Sequence, residues 1–299
     1  MKLNELQAAL EASPSRERWV DSITDYFAAH DLFYGHGTDC AADEAFWLVW
    51  HTSGTPDDLA GLPTDPRLIE PLLELARRRV EERIPLAYLL GVAWFAGLEF
   101  SVNPGVLIPR SPLAELIEAG FRPWSALAAG DRVLEVGTGS GCIAVATAVH
   151  QPGVQVDATE IDSAALEVAR ANVLRHRVTD QVRLIEADLF PPDPTRYRVI
   201  ISNPPYVPTV EIAALPPEYG HEPAAALDGG TDGLNVVRRL LEGARERLTD
   251  DGILIVEVGL AADALMAAYP RVPWTWIEFE RGGDGVFLLT ADELSNGWG

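Results

Sequence analysis

A chain of 299 residues, 47% of them hydrophobic, has room for one large α/β domain and a smaller second one. No apolar run approaches the roughly 20 residues of a membrane span, so no helical span and no membrane partner are expected. Its 45 Asp and Glu against 23 Lys and Arg leave a formal charge of −22, which argues against direct sequence-specific nucleic-acid binding and either favours a basic partner or only aids solubility.

The opening Met1-Lys2-Leu3-Asn4-Glu5 has no basic leader followed by an apolar stretch, so no signal peptide is read. Cys40 and Cys142 read as reduced, buried thiols of a cytoplasmic protein. The six histidines do not cluster with either cysteine, and no metal site is expected.

Residues 1–90 read as a helical domain. Arg18–His30 carries Trp19, Val20, Ile23, Tyr26 and Phe27 at helical spacing, and Asp43–His51 continues with Phe46, Trp47, Val49 and Trp50. Between them lies the glycine-punctuated turn Tyr34–Asp39. Gly54–Pro66 is a loop by composition. Leu68–Arg83 is an amphipathic helix with Leu72, Leu75, Ala76, Arg79 and Arg83 on its faces, and Pro85 ends it. Residues 91–112 read as a hairpin linker: one strand over Val92–Val102, a turn at Asn103-Pro104-Gly105, and a return over Val106–Ile108.

From residue 113 to 299 the pattern becomes strand and helix in alternation, the mark of a parallel sheet covered on both faces. Leu113–Ala119 begins a helix. Strands are expected at Arg132–Val136, Val154–Thr159, Val182–Ile185, Arg198–Ile201 and Gly252–Val258. Helices are expected at Cys142–Val149, Ser163–Arg175 (with Ser163 as N-cap), Leu234–Leu248 and Ala261–Ala268. Thr275–Phe279 and Gly285–Leu289 lie too close for a parallel crossover, so the sheet should finish with an antiparallel pair.

Four strand exits carry candidate chemistry. Gly137-Thr138-Gly139-Ser140-Gly141, with Glu135 just before it, lets backbone approach a nucleotide closely. Glu160 follows the second strand, where a carboxylate accepts from ribose hydroxyls. Asp188 follows the third and is suited to an adenine amino group, with Leu189 over the ring. The fourth exit is Asn203-Pro204-Pro205-Tyr206. Two prolines cannot extend a ladder, and Pro204 holds Asn203 extended, so this is a stiff turn rich in acceptors. Its Asn203 oxygen, Pro204 carbonyl and Tyr206 ring complement a planar –NH2 group, either a primary amide or an aromatic amine. Arg110 either holds a substrate loop or anchors the hairpin.

Glu135–Gly141, Asp188-Leu189 and Asn203–Tyr206 together resemble the class I S-adenosylmethionine-dependent methyltransferases, in the HemK/PrmC/PrmB-type branch that methylates protein glutamine. Tyr34–Asp39 with Asp43-Glu44-Ala45, Ile108–Pro112, His221-Glu222-Pro223, Gly229–Gly233 and Gly282–Phe287 resemble the members acting on ribosomal large-subunit protein L-three. Release-factor members usually continue the Pro-Arg segment with Pro-Glu/Asp-Thr-Glu, whereas here it is Ser111-Pro112-Leu113-Ala114-Glu115.

The resemblance implies a Rossmann-like seven-stranded sheet with an antiparallel terminal hairpin, and a small helical N-terminal domain that recognises substrate. It implies S-adenosylmethionine as cofactor, held by Glu135, Gly137, Thr138, Gly139, Ser140, Gly141, Glu160, Asp188, Leu189 and Asn203. Asn203, Pro204 and Tyr206 would be catalytic, and Pro205 and Arg110 would join them in binding substrate. Relatives often carry Asp where Glu160 stands and an aromatic where Leu189 stands. The implied partner is a basic ribosomal protein, with the GGQ glutamine of release factors as the rival. Adenine amino methylation of nucleic acid and a non-catalytic binding module are the alternatives from other classes.

Overall fold

A computed structural model describes residues 1–296. The last three residues of the domain expected over 113–299 lie outside the described ones. Two compact units appear. One comprises Met1–Val92 with Pro216–His221; the other comprises Ala93–Leu215 and the chain from Glu222 onward.

The first unit is helical, with helices Leu3–Ala12, Arg16–Ala28, Ala41–Thr52, Ile69–Glu81 and Leu86–Leu90. Arg16–Ala28 buries Trp19, Ile23, Tyr26 and Phe27, one stripe at helical period, against Leu6, Leu48, Leu72 and Ala76. This core also holds charge. Arg79 is buried between Glu44, at 2.7 Å, and Glu218, at 3.0 Å, and donates to the Phe33 carbonyl at 2.8 Å. Burial raises the Glu44 carboxyl above its usual range despite Arg79. Burial also opposes ionisation of Glu218, but donation from Phe33 N and Arg79 holds its carboxyl below the usual value.

The second unit opens with a two-stranded sheet of β1 (Val92–Phe95, whose first residue belongs to the helical unit) and β2 (Leu98–Ser101). The hairpin therefore turns at Ala96-Gly97, not at Asn103–Gly105 as the sequence suggests. Ala96 and Gly97 both have positive φ, 48° and 73°, the backbone hand that matches the twist of paired strands. Asn103-Pro104-Gly105 does form a turn, closed by Val106 N donating to Asn103 O at 3.1 Å, but no strand returns from it.

The main sheet contains β3 (Arg132–Val136), β4 (Gln155–Glu160), β5 (Val182–Glu186), β6 (Tyr197–Ser202), β7 (Leu248–Glu257), β8 (Thr275–Trp276) and β9 (Val286–Thr290), in the order β5-β4-β3-β6-β7-β9-β8. Strands β3 to β7 run parallel, and β9 is antiparallel to β7 and β8. Val133 and Ile201 enter one core while Leu134 and Ile200 enter another, so both faces are covered. Val136 pairs with Thr159 on one side and Ser202 on the other, and Ser202 pairs with Val256, which levels the strand exits at one edge. Strand order reverses between β3 and β6, where open α/β sheets bind ligands.

Three smaller expectations are corrected. The N-cap of helix Ser163–Arg175 is Asp162, whose extended backbone lets its carboxylate accept from Ala164 N at 2.8 Å; Ser163 is the first helical residue. Strand β8 has two residues rather than five. Cys40 is exposed at the N-cap of helix Ala41–Thr52, and Cys142 is only partly buried. Among the described residues no helix is long and apolar enough to cross a membrane.

Candidate active site

A cavity of about 320 Å3 opens at the carboxyl edge of the sheet, lined from the exits of β3, β4, β5 and β6 and by the 105–111 segment. After β3 the chain turns through Gly137, Gly139 and Gly141 with φ of 74°, 53° and 81°. A Cβ on Gly137 or Gly139 would meet open space, whereas one on Gly141 would press on Ala169 at 3.1 Å. Two glycines thus keep the cavity wall bare, and the third lets the loop pack on helix Ser163–Arg175. Gly137 N and Thr138 N both donate to Thr159 O at 2.9 Å, folding the loop over the end of β4.

Glu135 braces this loop from below. Its Oε2 accepts from Thr138 Oγ1 at 2.5 Å and from Ala144 N at 2.8 Å. Burial pushes its carboxyl up to about 8. Nearby, loss of solvation pushes the partly buried Cys142 thiol up to about 12, which leaves it inert at neutral pH.

Glu160 reaches the cavity with its carboxylate fixed by three backbone donors: Gly139 N at 2.9 Å, Ile161 N at 2.9 Å and Asp162 N at 3.1 Å. Asp188 stands at the rim, paired with Arg239 at 2.8 Å. Leu189 lines the wall with a left-handed backbone, φ 70°, a strain of about 1 kcal/mol for a branched residue. Its carbonyl accepts from Thr159 Oγ1 at 2.6 Å, which holds the strained turn in place.

At the exit of β6, Asn203, Pro204 and Pro205 all line the cavity, and Ser202 Oγ donates to Val136 O at 2.8 Å to join the central strands. Tyr206 does not line it. Its ring lies beside Gly259, and its hydroxyl donates to Glu257 at 3.2 Å. Arg110 lines the cavity but spends its guanidinium on Glu222, with two bonds of 2.6 Å, while Glu222 also accepts from Ile108 N. The structure thus brings the predicted set together, apart from Tyr206, and engages Arg110 as an anchor of its own segment.

Sequence reasoning passed over Glu257. This buried acid ends β7, and burial pushes its carboxyl up to about 7. A signal existed: an acid closing the apolar run Ile253–Val256 on a strand that follows Asn203–Tyr206 in the chain.

Residues 124–214 match the family model of the methyltransferase small domain. The chain is 42% identical to the ribosomal protein uL3 glutamine methyltransferase of Neisseria gonorrhoeae, covering 96% of this chain and 98% of that protein. It is also 42% identical to the protein of that name from Neisseria meningitidis serogroup A, covering 96% of each. Among solved structures, the hMettl16 catalytic domain in complex with a 3'UTR hairpin aligns with a TM-score of 0.50 at 18% identity. That match covers 81% of this chain and 90% of the other, a likeness of fold.

Proposed function

Since the chain belongs to the ribosomal protein uL3 glutamine methyltransferase family, we propose that it transfers the methyl group of S-adenosylmethionine to the side-chain amide nitrogen of a glutamine in uL3. The observation that carries this reading is one cavity lined by both a bare glycine loop and the Asn203-Pro204-Pro205 turn.

The cavity fits the cofactor. Open space over Gly137 and Gly139 admits its backbone-hugging portion, with Thr138, Ser140 and Gly141 completing the loop and Glu135 fixing it from beneath. Glu160 would accept from the ribose hydroxyls, Asp188 from the adenine amino group, and Leu189 would cover the ring. Bound there, the cofactor's sulfonium supplies an electrophilic methyl carbon.

The protein's own task is orientation, because an amide nitrogen is a poor nucleophile whose lone pair is delocalised into its carbonyl. Asn203 Oδ1 and the Pro204 carbonyl would accept the two amide protons, Pro205 would stiffen the turn, and Tyr206, whose ring lies beside Gly259 and not in the cavity, would hold the turn from behind. Such alignment is worth roughly 7–11 kcal/mol. As the nitrogen gains positive charge its protons bind these acceptors more strongly, a stabilisation specific to the transition state. Arg110 would serve substrate binding by holding the 108–111 wall against Glu222.

Residues 1–90 form the proposed substrate-recognition domain, 91–112 the linker and 113–299 the catalytic domain. The charge of −22 favours a basic protein as partner. The test is incubation with labelled S-adenosylmethionine and an extract of cells lacking the enzyme, followed by mass spectrometry. Labelled uL3 glutamine is expected. A labelled release factor would overturn the substrate, and labelled nucleic acid would overturn the reaction class.

A further inference from the structure

Two walls of the cavity come from distant parts of the sequence, Pro109–Ser111 and Asn203–Pro205. Behind both lies Glu257, 5% exposed, with one oxygen for each. Oε2 accepts from Ser111 Oγ at 2.5 Å, and Oε1 accepts from the Tyr206 hydroxyl at 3.2 Å. Its backbone is fixed from two sides. Val256 pairs with Ser202 in β6, and Glu257 itself pairs with Val286 in β9.

The glycine-rich stretches Gly229–Gly233 and Gly282–Gly285 line no part of the cavity, yet they complete this arrangement. A Cβ on Gly233 would sit 2.2 Å from the Tyr206 carbonyl oxygen, and one on Gly259 would sit 2.7 Å from the Tyr206 ring. A Cβ on Gly285 would meet the Gly259 backbone at 2.5 Å, and one on Gly283 would meet Pro112 at 2.7 Å. Bare backbone therefore lets the Tyr206 ring and the Ser111-Pro112 segment close down around the same carboxylate.

We propose that Glu257 is a positioning residue, a two-armed brace that holds the Ser111 wall and the Asn203–Tyr206 wall at one separation and so sets the room available to the substrate amide. The proposal rests on the methyl-transfer reading above. A carboxyl group suits the task because its two oxygens can each hold one hydroxyl. Cutting either arm disconnects the walls, so cutting the second adds little.

The test is a double-mutant cycle of Ser111→Ala and Tyr206→Phe, read by steady-state methyl transfer to uL3 and by calorimetric affinity for S-adenosylmethionine. Each single change is expected to lower kcat/KM about tenfold, with the double variant no more than about threefold below the worse single and cofactor affinity within about threefold of wild type. Losses that multiply, or singles with no loss, would overturn the brace. Glu257→Ala should match the double variant, and Glu257→Gln, which can still bond both hydroxyls, should recover most of the rate. If Glu257→Ala does not fold, the Ser111 and Tyr206 cycle decides alone. Should the wild type methylate no uL3 glutamine, the functional reading fails, and hydrogen–deuterium exchange then tests the brace without substrate. Each single variant should raise exchange in both 107–111 and 203–207; a rise confined to the mutated segment would overturn it.

Discussion

Arg79 and Glu218 lie 139 residues apart in the chain and meet at 3.0 Å inside the helical unit, both side chains withdrawn from solvent. Glu218 arrives on Pro216–His221, six residues that leave the second unit's stretch of sequence to join the first. Removing Glu218 would leave Arg79 paired with Glu44 but would strip the partly buried Phe33 N–H and one arm of the guanidinium of their acceptor.

Glu218→Ala is therefore expected to destabilise the helical unit by about 3–5 kcal/mol. Urea unfolding followed by tryptophan fluorescence checks this, since Trp19, Trp47 and Trp50 all lie in that unit. A shift below about 1 kcal/mol would mean the network carries no strain when broken.

Asn203→Ala should lower turnover roughly 100- to 1,000-fold, the usual cost of losing one aligned polar contact to the reacting group. Affinity for S-adenosylmethionine should change by less than about threefold, or under 1 kcal/mol. Single-turnover transfer and calorimetry separate the two, and a comparable loss in both would remove Asn203 from the chemical step.

For Glu160→Ala the pattern inverts. A carboxylate accepting from hydroxyls contributes about 1.5–3 kcal/mol, so cofactor affinity should fall roughly 10- to 100-fold. Turnover at saturating cofactor should largely recover, and calorimetry across the two variants gives the contrast.

Glu135 makes stability depend on pH. Its carboxyl titrates near 8 when folded and near the ordinary 4.5 when unfolded. Below that lower value both states hold the proton. Above it only the folded state does, so stability declines as pH rises through that window, by up to about 1.4 kcal/mol per unit. Glu135→Gln is neutral throughout and keeps an oxygen for Thr138 and Ala144. Its denaturation midpoints between pH 5 and 8 should fall less steeply than those of wild type, and parallel slopes would contradict the assignment.

Much of the sheet was readable from the chain because β3, β4, β6 and β7 are buried and mostly apolar along their centres. The bare glycine loop, Glu160 and Asn203-Pro204-Pro205 stand at the ends of such strands, where local pattern and position coincide. Ala96-Gly97 escaped because a two-residue turn with one alanine is a weaker signal than Asn-Pro-Gly. Arg79 looked like one face of an amphipathic helix, since nothing in its own segment announces partners at 44 and 218. Glu257 needed strand order as well: only the pairing of β6 with β7 sets it beside Asn203 and Tyr206. Contacts made across sequence distance were the part that local pattern left unread.

The detour of Pro216–His221 bears on how this protein can be taken apart. A fragment ending at Val92 would carry Arg79 and Glu44 but not Glu218, and its complement would carry a loop whose acid had lost its host. Grafting the helical unit onto another enzyme therefore means transplanting two stretches of polypeptide, with six residues sewn into the recipient between its own proline turn and the residue that grips Arg110.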